Sequence, residues 1–80
     1  MNIKTLFFGI TTDLVSASEL QIDVDENTSI KEFKTILKDK FSGLENINSY
    51  AIALNEEYAD DVTILEDGDV VAVIPPVSGG

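Results

Sequence analysis

The sequence contains neither cysteine nor histidine. It therefore offers no thiol nucleophile, no imidazole base and no soft or borderline metal ligand, and we expect no metal site. Its fifteen Asp and Glu residues leave a carboxylate pair open as an acid–base device, but such a pair needs a raised pKa inside a pocket. Eighty residues leave little room for that pocket, so we expect no self-sufficient enzyme.

Positive charge is scarce, since only five Lys and Arg residues oppose the fifteen acidic ones and the net charge is −10. Nucleic acid is not an expected partner, because phosphate contacts need Lys and Arg. Basic protein partners fit this charge, although an acidic surface also simply keeps a small protein in solution. Four lysines fall between positions 31 and 40, so the rest of the surface is more acidic than the average.

An apolar run of about 20 residues, the length that a bilayer requires, is absent, and no membrane association is expected. Met1–Phe8 carries one lysine and a short apolar stretch, but no small-residue cleavage site follows it. We interpret it as a strand and not as a signal peptide, and we expect a cytoplasmic location. The composition, 44% hydrophobic and 25% charged, is typical of one globular domain.

The first 24 residues of the chain predict two strands. Asn2–Ile10 reads as a strand in which Leu6–Phe8 is apolar on both faces. Thr11–Ser18 is small and polar and predicts a turn or a short irregular loop. Glu19–Val24 alternates between apolar and polar residues, which indicates a strand with one face in water. We expect the two strands to form a hairpin.

A helix is predicted after the second strand. Ser29 is a good N-cap residue, and Glu32 three positions later completes a capping box. Gly43 is a natural C-terminal stop. Apolar residues recur between these points at helical spacing, and a stripe of this kind is typical of a core-facing helix. Its members are Ile30, Phe33, Ile36, Leu37, Phe41 and Leu44.

The second half of the chain predicts two more strands. Tyr50–Leu54 is a short strand, Asn55–Glu57 is turn-like, and Val62–Leu65 is a short apolar piece. Asp67–Asp69 predicts a tight turn around its central glycine. Val70–Ile74 is apolar without alternation, which is typical of a strand that is buried on both faces.

The predicted order is strand, strand, helix, strand, strand. The first and last strands are the most apolar, so we expect them side by side at the centre of a mixed sheet, with the crossover helix on one face. This is an α+β fold of the β-grasp, ubiquitin-like kind. We predict a β-grasp domain over residues 1–76 and a flexible Gly-Gly tail over residues 77–80.

The tail is the most distinctive segment, and it reads Pro75, Pro76, Val77, Ser78, Gly79 and Gly80. Pro75 and Pro76 fix φ near −65° and donate no backbone hydrogen bond, so the last strand stops and a stiff, extended spacer follows. Four residues beyond Pro76 reach on the order of 13 Å. Gly79 and Gly80 lack side chains and can enter a narrow channel. The alternative is a frayed end with no function.

The α-carboxylate of Gly80 is the predicted reactive group. It is ionised at pH 7, no Cβ crowds it, and it can attack the α-phosphate of ATP. The resulting acyl-adenylate is open to a sulfur nucleophile. Because the chain has no cysteine, any sulfur must be delivered by another protein.

These residues resemble a known family. Pro75–Gly80, preceded by Asp67–Ala72, resembles the C-terminus of the small, sulfur-carrier subunits of molybdopterin synthase. The likeness extends to Ile3–Phe8, to the helix start Thr28–Ile30 and to the Asn55 turn, so it covers the whole chain. The terminal Pro-Pro-Val-Ser-Gly-Gly is its most specific part.

The resemblance implies that Gly80 is adenylated by an ATP-dependent, ubiquitin-activating-like enzyme and converted by a sulfur donor to a thiocarboxylate. The tail would then enter the large subunit of molybdopterin synthase and donate sulfur to the pterin precursor. That assembly has two small and two large subunits, and its catalytic residues lie on the large one. The chain itself would bind no cofactor, because ATP is used by the activating partner.

The resemblance also implies a contact surface for the large subunit. We predict that Phe8, Tyr58 and Ile74 form part of an apolar patch for the large subunit, because their positions resemble the family's contact surface and exposed apolar patches usually mark interfaces. The alternative is that all three are core residues. Ile74 departs from the commonest family pattern, in which an aromatic residue precedes the diproline. An aliphatic side chain still supplies apolar surface.

Three other interpretations stay open from the sequence. A related carrier for thiazole synthesis is generally shorter and lacks the diproline, whereas one for the tungsten cofactor would look the same. A protein modifier joined through Gly80 to lysines would use the same adenylate, although ubiquitin-type tails carry basic residues before Gly-Gly. A plain interaction module would not need Gly80 at all.

Overall fold

Five strands and two helices form the described part of the chain. The structure, a computed structural model, describes residues 1–76, and the predicted tail at 77–80 lies outside them. The elements are β1 (Asn2–Phe7), α1 (Ile10–Val15), β2 (Glu19–Asp23), α2 (Ile30–Lys40), β3 (Ala51–Leu54), β4 (Glu57–Tyr58) and β5 (Val70–Ile74). Two 3₁₀ turns, Ser42–Leu44 and Ile47–Ser49, connect α2 to β3.

The strands form one mixed sheet in the order β2-β1-β5-β3-β4. β1 and β5 are parallel neighbours at its centre, with Leu6 beside Ala72, and the other pairings are antiparallel. The prediction that the first and last strands lie side by side is confirmed. So is the α+β, β-grasp fold, since a helix crosses over between the two halves of the sheet.

α2 begins where the capping box predicts. The Ser29 Oγ accepts a hydrogen bond from the Glu32 backbone N–H at 3.1 Å, and the Ser29 N–H donates to Glu32 Oε1 at 3.1 Å. These two bonds satisfy helix-end donors that would otherwise lack partners. The buried face of α2 includes Ile30, Phe33 and Leu37, as the apolar stripe predicts.

The predicted stop at Gly43 is wrong. α2 ends at Lys40, and Phe41 already has an extended backbone. Gly43 lies in the following 3₁₀ turn, where a Cβ would come within 3.1 Å of the Leu14 side chain on α1. Glycine serves here for close packing between two segments and not as a helix cap.

The central strands are buried mainly on the face that packs against α2. Val71 and Val73 of β5 are fully buried in the core, whereas Ala72 and Ile74, which alternate with them, are only partly buried. β1 shows the same alternation. The prediction that β5 is buried on both faces is therefore wrong, because apolar residues also form the second, half-covered face of the sheet.

One local prediction needs correction, and two further features were not predicted. The segment Thr11–Ser18, predicted as a turn or short irregular loop, contains most of α1, which buries Thr11 and Val15. Because α1 begins at Ile10, β1 ends at Phe7 and not at Ile10 as predicted. β4 was not predicted, and the turn before it is formed by Asn55 and Glu56, both with positive φ. The apolar piece Val62–Leu65 contributes a single bridge from Ile64 to the helix start and is not a strand.

Candidate functional site

The two central strands end at the same edge of the sheet, because β1 and β5 are parallel. Phe8 and Gly9 follow β1, and Pro75 and Pro76 follow β5. The Phe8 N–H donates to the Val73 carbonyl at 3.3 Å, which ties the two strand ends together. The segment leading to the predicted reactive glycine therefore leaves the sheet beside the β1–α1 connection.

An open groove of about 670 Å³ lies at this edge. Its apolar lining comes from Phe8, Ile10, Ile74, Pro75 and Pro76, and we call it the tail-base groove. Phe8 is 48% exposed and Ile10 is 58% exposed. A contiguous apolar patch on the surface of a small domain usually marks an interaction site.

The rim of the groove comes from a distant part of the chain. Asn46, Ser49 and Tyr50, in and beside the second 3₁₀ turn, line the groove opposite the strand ends. These residues, with Gly9 and Ile10, were not predicted as part of a site. No periodic pattern in the sequence indicates them, because the sheet and the 3₁₀ turns must first form to bring them to the strand ends.

The β1–α1 connection is held by side chains that bond back to the strand. Thr11 is fully buried, and its hydroxyl donates to the Phe8 carbonyl. The Thr12 hydroxyl donates to the Phe7 carbonyl at 3.2 Å. Bonds of this kind replace the strand ladder with a local turn, so Phe8 is presented from a fixed backbone.

The predicted patch residues are only partly brought together. Phe8 and Ile74 both line the tail-base groove, and neither is a core residue. Tyr58 is 78% exposed but lies on β4, opposite Ala53, and does not line the groove. Cross-strand partners share a face of the sheet, so Tyr58 lies with Ala72 and Ile74 on the half-covered face. The interface role of all three stays a prediction.

Four predicted site residues, Val77, Ser78, Gly79 and Gly80, lie outside the described residues. Pro75 is half-buried in the groove, and Pro76 is exposed at its edge. Within residues 1–76 no cluster of three or more acidic residues could hold a metal ion. No helix in that part of the chain is long and apolar enough to cross a membrane.

The opposite edge of the sheet, where β1 and β5 begin, is polar. Asn55 Nδ2 donates to Asp69 Oδ1 at 3.0 Å, and the Val70 N–H donates to Asn55 Oδ1 at 3.0 Å. Asp69 Oδ2 also accepts from the Glu66 N–H at 2.7 Å. We call Asn55 and Asp69 with these bonds the Asn55–Asp69 clasp. It joins the β3–β4 turn to the start of β5.

Comparison with known proteins gives matches over the whole chain. Residues 5–80 match the ThiS family. The chain is 35% identical to a molybdopterin synthase sulfur carrier subunit from Arabidopsis thaliana, over its full length and 84% of that protein. It is 34% identical, with a TM-score of 0.71 and both chains fully covered, to one from a complex of subunits 1 and 2 of molybdopterin-converting factor from Helicobacter pylori. SAMP1 from Haloferax volcanii shares the fold, with a TM-score of 0.89 at 20% identity and both chains covered completely.

Proposed function

Because the chain belongs to the ThiS family, we propose that it is a sulfur carrier in molybdenum cofactor biosynthesis, the small subunit of a molybdopterin synthase. The observation that carries this proposal is the match over the full chain to a relative of that name at 35% identity. The Gly79-Gly80 sequence, which follows β5 after only four residues, supports it. Composition is consistent with it, since the chain supplies no thiol of its own.

The proposed chemistry takes place on Gly80. Its carboxylate attacks the α-phosphorus of ATP in a separate adenylating enzyme, and pyrophosphate leaves. A donor protein then supplies sulfur at the oxidation level of hydrosulfide, which attacks the acyl carbon and displaces AMP. The product is a thiocarboxylate, whose sulfur is transferred to the pterin precursor. Water restores the carboxylate, and this chain holds no catalytic side chain in the cycle.

The proposed docking surface is the tail-base groove. The Helicobacter pylori structure is a protein–protein complex of subunits 1 and 2 of molybdopterin-converting factor, and we infer that this chain pairs in the same way with a large subunit. Phe8, Ile74 and Pro75 lie where the tail leaves the sheet, so a partner that binds this groove also receives Gly80. We propose an assembly of two small and two large subunits.

The first experiment measures the mass of the chain, purified from its own host without a C-terminal tag. Replacing one oxygen by sulfur adds about 16 Da, nearly the shift of methionine sulfoxide, so fragmentation must assign it to Gly80. Incubation with ATP, the adenylating enzyme and a sulfur donor should raise the modified fraction, and a chain lacking Gly80 is the control. An unmodified Gly80 under these conditions would contradict the proposal.

The same preparation separates the alternatives. A protein modifier predicts high-mass conjugates in cell extract that disappear when Gly79 and Gly80 are deleted. A carrier for thiazole synthesis predicts a thiocarboxylate that a molybdopterin synthase large subunit does not consume, whereas a tungsten-cofactor carrier serves the same pterin and predicts the same result as the proposal. An interaction module predicts that deleting Gly80 changes nothing. The cytoplasmic location stays a prediction, which imaging of an N-terminally labelled chain tests.

A further inference from the structure

Gly9 has a backbone conformation that other residues rarely adopt. Its angles are φ 57° and ψ −136°, those of the first central position of a type II′ turn, which glycine dominates. The turn is closed by the Thr11 N–H, which donates to the Phe8 carbonyl at 3.2 Å. The chain therefore reverses between β1 and α1 at a residue that has no side chain.

The same glycine is in close contact with the diproline. A Cβ built on Gly9 would lie 3.2 Å from Pro75 Cγ and 3.9 Å from Pro75 Cδ. The first distance is tighter than ordinary van der Waals contact, so the Pro75 ring packs in the space that a side chain at position 9 would occupy. Gly9 and Pro75 are adjacent because β1 and β5 are parallel.

We propose that Gly9 is a positioning residue, which seats the Pro75 ring and so sets the direction in which the chain leaves the sheet. The proposal rests on the function proposed above, because that direction matters only if Gly80 must reach a distant reacting centre. The two prolines hold φ near −65°, so a shift of the Pro75 ring changes the direction of the chain at Pro76. A displacement of about 1 Å at a reacting group can lower a rate a hundredfold.

The test compares Gly9→Ala with Gly68→Ala. Gly68 also has a positive φ, of 86°, but a Cβ there meets nothing within 4 Å. Both substitutions should lower the thermal midpoint, because both place alanine at positive φ. Only Gly9→Ala should lower kcat for adenylation of the chain by the activating enzyme, by about tenfold. Its KM should change by less than about threefold, since the groove side chains remain.

The second part of the test removes the Pro75 ring. Pro75→Ala alone should lower kcat about threefold, and adding Gly9→Ala to it should cost little more, because the contact is already gone. Strain in the Gly9 turn is the same in both backgrounds, so the double-mutant cycle isolates the contact. Equal losses from Gly9→Ala with and without the ring would overturn the proposal. If Gly9→Ala fails to fold, Pro75→Ala still tests it, since unchanged kcat would also overturn it.

A measurement on the unmodified chain separates this proposal from the proposed function. A nuclear Overhauser effect between a Gly9 Hα and the Pro75 ring protons is expected if the Pro75 ring packs against Gly9. Its absence would overturn the positioning role even in a chain that is adenylated normally. Conversely, a chain that shows the contact but is never adenylated would overturn the function and leave the packing in place.

Discussion

The two edges of the central strand pair differ in chemistry although the same two strands form both. Where β1 and β5 begin, the Asn55–Asp69 clasp accepts hydrogen bonds from the backbone N–H groups of Val70 and Glu66, and the bonds to the Asp69 carboxylate are charge-assisted. Where they end, the tail-base groove presents Phe8 and Ile74 as exposed or half-exposed apolar surface. The first edge satisfies polar groups within the chain, whereas the second leaves apolar side chains exposed.

The polar edge is also joined to the N-terminal strand. The Asn2 N–H donates to Asp67 Oδ1 at 2.7 Å, and the Gly68 N–H donates back to the Asn2 carbonyl at 3.0 Å. The Lys4 N–H donates to the Asp69 carbonyl at 3.0 Å. The turn before β5 therefore sets the register of both central strands, and we expect substitutions there to change stability. Substitutions at the groove should change binding.

The largest expected effect is on partner binding. Ile74→Asp places a charge in the apolar lining of the tail-base groove, and burying an unpaired charge is costly. We expect the affinity for the large subunit to fall on the order of a hundredfold, with a loss of unfolding free energy below about 1.5 kcal/mol, because Ile74 is only half-buried. Isothermal titration calorimetry measures the affinity, and urea unfolding measures the unfolding free energy.

Val62→Asp is the matched control for that substitution. Val62 is an aliphatic residue that is 79% exposed and lies outside the groove, so the same change adds the same charge at a different place. It should leave the affinity within about twofold. A loss equal to that of Ile74→Asp would mean that net charge, and not the groove, controls binding.

The next effect is on stability at the polar edge. Asn55→Ala removes the two clasp bonds that the Asn55 side chain makes and puts alanine at φ 49°. We expect a loss of about 2 kcal/mol in unfolding free energy, with an unchanged affinity for the large subunit. Asn55→Gly loses the bonds but relaxes the backbone, so it should cost about half as much. If Asn55→Ala bound the large subunit more weakly under conditions in which the variant is fully folded, the contrast between the two edges would not hold.

The sequence predicted what depends on neighbours along the chain. The Ser29–Glu32 capping box is a contact across three residues, and the β5 run and the turn at Gly68 are equally local. α1 was missed because its Leu14 packs against Gly43, a contact between distant segments. β4 has only two residues and carries no periodic signal.

The candidate site was likewise predicted only in part. Ile74, Pro75 and Phe8 were identified through the likeness of strand ends and tail to a family, and they line one groove. Tyr50 and the 3₁₀ turn before it join the groove only through tertiary folding, which periodicity does not report. Pairing on β4, which was not predicted, puts Tyr58 outside the groove.

A smaller effect on binding tests how far the partner surface extends. Tyr58 lies on the half-covered face of the sheet, beyond the groove. If the large subunit covers this face, Tyr58→Ala should weaken binding about tenfold, since buried tyrosines contribute strongly to interfaces. Tyr58→Phe, which keeps the ring, is the control and should lose less than threefold. Unchanged affinity in Tyr58→Ala would confine the surface to the groove.

The smallest effect is expected midway along β1, between the two edges. Thr5 is fully buried under α2, and its hydroxyl has only a 3.4 Å contact with the Ile3 carbonyl. A bond of that length recovers little of the cost of burying the hydroxyl. Thr5→Val keeps the branched shape and should stabilise the fold by up to about 1 kcal/mol without changing partner affinity. Thermal unfolding measures the stability, and isothermal titration calorimetry measures the partner affinity. A binding change from this site would show that the edges communicate through the strand, and the separation of stability from binding would then fail.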